Sequence, residues 1–207
     1  AAGAEARPPE WDWGYLFNGV GDERPMSEVA KERGGHPVEA MIDIALERDF
    51  DVFFRQPLAN EDQDSVLKMM KHPHSVVTFS DSGAHVAQIM DSSLQTHLLS
   101  HWVREKNAFT IEEAVKLITS DTASAWGLTD RGLVKEGLNA DLLVFDPDTI
   151  GPNMPELVND LPAGAQRLKQ TSRGISHTIV NGTVLLNGDK PTGEFPGRLV
   201  KGQAACS

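Results

Sequence analysis

The feature that most limits how this chain can fold is a change of pattern near residue 130. Ahead of it apolar residues recur at helical spacing, and beyond it they come in short runs broken by turn residues. After Pro37, which suits a first helical position, Val38, Met41, Ile42, Ala45 and Leu46 follow the series of an amphipathic helix. Val66, Leu67 and Met70 form a second such face. Leu94, Leu98, Leu99 and Trp102 form a third over about 91–105, and Ile111, Ala114, Val115 and Ile118 a fourth. Asn60 with Gln63 and Thr110 with Glu113 are spaced as capping boxes. Ser27 and Asp121 stand where they would cap two shorter helices, ending at Gly34-Gly35 and at Gly127. Within this part, 51–55 and 76–79 read as short strands, and the aromatic stretch 11–20 as a loop with a short strand. Past 130 come the run 141–145, a Pro-rich loop through Pro162, and the runs 178–180 and 183–186 around Asn181-Gly182, a strong hairpin signal. The order predicts an α/β part over 1–130 and a small β part over 131–207.

With 207 residues the chain can bury a core, and no apolar run approaches the roughly 20 residues of a membrane helix. Nineteen Lys and Arg against 30 Asp and Glu, a net charge of −11, argue against a nucleic-acid partner, whose phosphates are bound mainly by cations. The single cysteine, Cys206, excludes a disulfide framework and a cysteine zinc site, and makes a reducing cytoplasm the expected location. Residues 1–10 have neither an initiator Met nor the pattern of a signal peptide, so the chain is expected to start at a processing boundary.

Asp81 is the first candidate for chemistry. A carboxylate directly after a strand, followed by Ser82-Gly83, stands where α/β barrels place catalytic groups. It suits a proton acceptor or a metal ligand, though an Asp after a strand is more often a turn or helix cap. His85 shares its loop and is a candidate for contacting substrate or metal. His72-Pro73-His74 has the spacing of a metal pair, yet precedes the strand and carries Pro in the middle, so it reads as a helix stop. His97 and His101 lie one helical turn apart, but the Glu of a His-Glu-x-x-His site is missing, and core or interface histidines are expected. There is no nucleophile elbow, phosphate loop or dinucleotide fingerprint.

Several stretches, in this order, resemble the amidohydrolase superfamily and most closely its D-aminoacylase (N-acyl-D-amino-acid deacylase) group. They are HPHSVVTFSDSGAHV from His72, the run from FTIEEAVKLITSD to DRGLVKEGLNADLLVFDPDTI, and HTIVNGTVLLNG. RPPEWDW, VAKERGGHPVEAMIDIA and PLANEDQDSVLKMMKHPH are similar to the connection ahead of the last barrel strand. The resemblance implies the C-terminal portion of a (β/α) barrel followed by a small β-sandwich portion, with the barrel incomplete in this chain. It also implies a divalent metal, zinc by expectation, in the full-length enzyme. Asp81 would touch the metal and take a proton from its bound water, His85 would lie near substrate, and the substrate would be an N-acyl-D-amino acid. The family's other metal ligands have no matching positions here, so a lone chain is expected to be inactive, to bind metal poorly and to self-associate. For an acidic substrate side chain, Arg55 or Arg104 is the candidate cation. Two other readings stay open: a non-catalytic assembly or binding domain, and a hydrolase of cyclic amides resembling dihydroorotase or hydantoinase.

Overall fold

The computed structural model describes residues 9–202 apart from positions 20, 58, 61, 90 and 91. Cys206 lies outside the described residues. The chain divides into two compact units, 1–69 and 70–207. The change from helices to strands near 130 falls inside the second.

In the first unit, strands β1 (Tyr15–Gly19), β2 (Asp22–Pro25) and β3 (Phe53–Arg55) form an antiparallel sheet in the order β2-β1-β3. Two helices, α1 (Met26–Arg33) and α2 (Pro37–Glu47), pair over a core of Leu16, Met26, Val29, Ala30, Ala40 and Ile44. Burial of each large member contributes roughly 1.5–3 kcal/mol, and the small Ala30 and Ala40 let the helices approach. Ser27 does not cap α1. The helix begins at Met26, and its first donors are taken by backbone carbonyls of the preceding loop, Met26 N–H to Gly14 at 2.7 Å and Ser27 N–H to Trp11 at 3.0 Å. Helix α2 starts at Pro37 as expected, with His36 and Glu39 forming a capping box. Its buried face differs from expectation: Ala40 and Ile44 point inward, while Val38, Ile42 and Leu46 are exposed. The helix is apolar on two sides, and contact with α1 selects the one carrying Ala40. Helix α3 (Gln63–Met70) is capped by Asp62 rather than Asn60, because Asp62 Oδ1 accepts from the N–H groups of Asp64 and Ser65.

Near the start of the second unit, the segment 75–80 belongs to no ladder. The buried strand expected at 76–79 is therefore absent, and Phe79 is 79 % exposed. An apolar run becomes a strand only when neighbours take up its N–H and C=O groups, and no described residues pair with this one in a ladder. Helix α4 (Leu94–His97) continues as a π-helix through Leu98–Glu105, burying Leu98, Leu99 and Trp102. Position 91, where this helix was expected to begin, lies outside the described residues. In α5 (Ile111–Ile118) the Thr110–Glu113 capping box forms as expected. In α6 (Ser120–Ala125) Asp121 is not the cap. It sits in the first turn and pairs with Lys116 at 2.5 Å.

The strands of this unit form small antiparallel sheets. One has the order β11-β10-β9-β4, from β4 (Leu142–Phe145), β9 (Ile175–Val180), β10 (Thr183–Asn187) and β11 (Lys190–Pro191). Two strand pairs accompany it, β5 (Gly151–Pro152) with β8 (Ser172–Arg173), and β6 (Glu156–Val158) with β7 (Arg167–Lys169). The β9–β10 hairpin turns at Asn181-Gly182, both at positive φ (46° and 78°), the conformation a two-residue turn of the right twist requires. Among the described residues no helix is long and apolar enough to cross a membrane.

Candidate active site

Asp81 stands in an exposed loop at the end of the unpaired segment. Its carbonyl accepts the N–H of Ala84 at 3.1 Å, closing a tight turn. Gly83 sits at φ 121°, a conformation L side chains rarely adopt, so glycine suits the turn. The hydroxyls of Ser80 and Ser82 meet at 2.6 Å across it. His85 follows at φ 49°, and its carbonyl accepts the N–H groups of Gln88 (2.7 Å) and Ile89 (3.1 Å), which starts one helical turn. Asp81 and His85 thus lie at the two ends of one short, exposed, internally bonded loop.

Two contacts from distant elements hold that loop. At its start the Thr122 hydroxyl, on α6, lies 2.5 Å from the Val77 carbonyl and 2.9 Å from that of Leu117, so that one proton is shared between them. At its end the Leu168 N–H, on β7, donates to the Val86 carbonyl at 2.8 Å. Neither anchor announced itself in the sequence: one is a mid-helix threonine, and the other contact is backbone only.

The remaining candidates separate. His72 Nδ1 accepts the His74 backbone N–H at 3.2 Å, which uses the pair to end α3. The rings of His97 and His101 stack at 4.8 Å, and His101 Nδ1 meets Glu105 Oε2 at 2.9 Å. Arg55 is engaged with Glu23 and lies 4.5 Å above the Tyr15 ring, while Arg104 donates to the carbonyls of Pro147 (3.1 Å) and Ile150 (2.8 Å). Both arginines thus serve as local braces. Among the described residues no group of three or more His, Cys, Asp or Glu side chains is arranged to hold a metal ion. A zinc site needs three or four donors, so these residues do not by themselves fit the metal that the resemblance implies.

The stretch from Asp130 to Asp141 acts as a clasp. Arg131, its side chain only 18 % exposed, bonds Asp130 at 3.1 Å and Asp141 at 2.5 Å, and Asn139 Nδ2 donates to Asp130 at 2.6 Å. Asp141 in turn accepts the Asn181 N–H at 2.8 Å, which ties this stretch to the β9–β10 turn. The Arg131 hydrogen bond holds the Asp130 carboxyl below the usual carboxylate range.

The profile of the amidohydrolase family matches residues 14–186, and the chain belongs to that family. The match spans both the Asp81 loop and the clasp. N-acyl-D-aspartate deacylase of Alcaligenes xylosoxydans xylosoxydans is 27 % identical over 183 residues, which is 88 % of this chain and 30 % of that protein. N-acyl-D-glutamate deacylase of the same organism is 36 % identical over 112 residues, 54 % of this chain and 21 % of the relative. In structure the chain is similar to N-acyl-D-glutamate deacylase from Bordetella bronchiseptica, solved with zinc and a phosphonate mimic of the tetrahedral intermediate. The TM-score is 0.52 at 22 % identity, over 92 % of this chain and 37 % of the other, a likeness of fold. The chain spans less than a third of the length of these curated relatives.

Proposed function

We propose that this chain is part of a hydrolase that cleaves the amide of N-acyl-D-amino acids, with Asp81 as the proton-transferring carboxylate. What carries the reading is the family match across the Asp81 loop, together with relatives that are deacylases of N-acylated D-aspartate and D-glutamate. In the proposed reaction Asp81 accepts a proton from the water that attacks the amide carbonyl and delivers it to the departing nitrogen. The products are a carboxylate and a free D-amino acid. An exposed carboxylate on an internally bonded loop suits this role, because solvent reaches it and hydrogen bonds within the loop hold its backbone. His85, at the far end of the same loop, is proposed to contact substrate. The enzyme is proposed to take a divalent metal, as the zinc-bound Bordetella protein does. Its remaining donors would lie outside the residues described, and the chain alone is proposed to be inactive and to self-associate.

The test is Asp81→Asn in the protein as encoded by its gene, assayed on N-acyl-D-aspartate and N-acyl-D-glutamate. Turnover is expected to fall about 10²–10⁴-fold, the usual contribution of a positioned acid–base group, with KM little changed. His85→Ala is expected to raise KM and leave kcat nearly intact. Undiminished turnover in Asp81→Asn rejects the reading.

A further inference from the structure

We infer that Thr122 is a positioning residue for Asp81, holding the start of the Asp81 loop through its hydrogen bond to the Val77 carbonyl. The inference rests on the proposed role of Asp81 and deepens it.

The physical case starts from the segment 75–80, which leads into Asp81 without a sheet ladder to fix it. Backbone outside a ladder depends on its other contacts for its position, and a shift at Val77 propagates directly to a carboxylate four residues on. A misplacement of about 1 Å at a reacting group can cost 10²-fold in rate. The Thr122 hydroxyl reaches Val77 from α6, 45 residues further along the chain. Helix α6 is itself braced, since Thr122 also meets the Leu117 carbonyl and the neighbouring Asp121 pairs with Lys116. At the other end, Leu168 N–H holds Val86. Residues 78–85 therefore lie between two contacts with distant elements, one supplied by a helix and one by a strand. Of these two, the helix anchor is a side chain and can be removed by substitution.

The chain itself provides one readout. Phe79 is exposed within the tethered segment, and Phe50, also exposed, lies in the other unit. Under native conditions Thr122→Val is expected to speed chymotryptic cleavage after Phe79 about fivefold, the shift that accompanies loss of a typical hydrogen bond. Cleavage after Phe50 should hold constant, and Thr122→Ser, which keeps the hydroxyl, should cleave like the parent. Equal acceleration at both sites, or none at Phe79, overturns the tether. The second readout is deacylation by the protein as encoded. Thr122→Val is expected to lower kcat at least tenfold with KM retained, and Thr122→Ser to restore it. If Asp81→Asn abolishes turnover while Thr122→Val leaves kcat intact, the positioning role fails and the proposed function stands. If Asp81→Asn keeps turnover, the proposed function fails and the positioning role with it, while the Phe79 rate still decides whether the tether exists.

Discussion

Single carboxylates in this chain are set by the partner each finds. Asp130 is held low by its hydrogen bond to Arg131, Asp160 by Arg167, and Asp146 by the Asp148 N–H and the Thr149 hydroxyl. A carboxyl whose folded pKa lies below its unfolded value contributes stability that is complete above about pH 4 and is lost as the pH falls through the folded value. All three groups are solvent-exposed, so the effect of each is screened and small. The expected outcome is a urea midpoint that declines as pH drops from about 5 toward 2. Asp130→Asn should make that decline shallower, and an unchanged slope would show that the clasp carboxylates do not carry it.

At the level of elements, what decides stability is how each end is satisfied. Thr110 accepts the Glu113 N–H at 3.2 Å while Glu113 reaches back to the Thr110 N–H at 2.8 Å. Thr110→Ala is expected to cost about 1 kcal/mol, read as a lower melting temperature, since a lost cap leaves a first-turn donor without its partner. Helix α1 manages without any side-chain cap because loop carbonyls take the same donors. The segment 75–80 shows the opposite extreme. It has the composition of a strand and no ladder, and the Thr122 hydroxyl bonds its Val77 carbonyl.

Over the whole molecule, apolar surface is left uncovered. On α2, Val38, Ile42 and Leu46 repeat every fourth residue along the outer face, and Phe50 beyond the helix is 71 % exposed. Phe79 and Val134 add to the exposed apolar area elsewhere. Contiguous exposed apolar patches favour association. Sedimentation at micromolar concentration is expected to show dimers or larger species, weakened by Ile42→Glu with Leu46→Glu. A monomer at that concentration would count against self-association. The charge of −11 opposes association through repulsion, so higher salt should strengthen it.

Much was legible from residues alone where the physics is local. The Asn181-Gly182 turn, the Thr110–Glu113 box and Pro37 at the start of α2 all depend on groups a few residues apart, and all formed as read. The family, too, could be read from the ordered stretches around Asp81 and Asp130–Asp141. Three matters were decided only by tertiary structure, because their causes lie far apart in the chain. Contact with α1 chose which apolar face of α2 is buried. Among the described residues no neighbour pairs with 76–79, so the run forms no strand. Finally, a hydroxyl on α6 and a backbone amide on β7 fixed the two ends of the Asp81 loop, one 45 residues away from its partner in sequence. Local spacing specifies caps and turns, but a ladder or a tether exists only when folding brings its second half alongside.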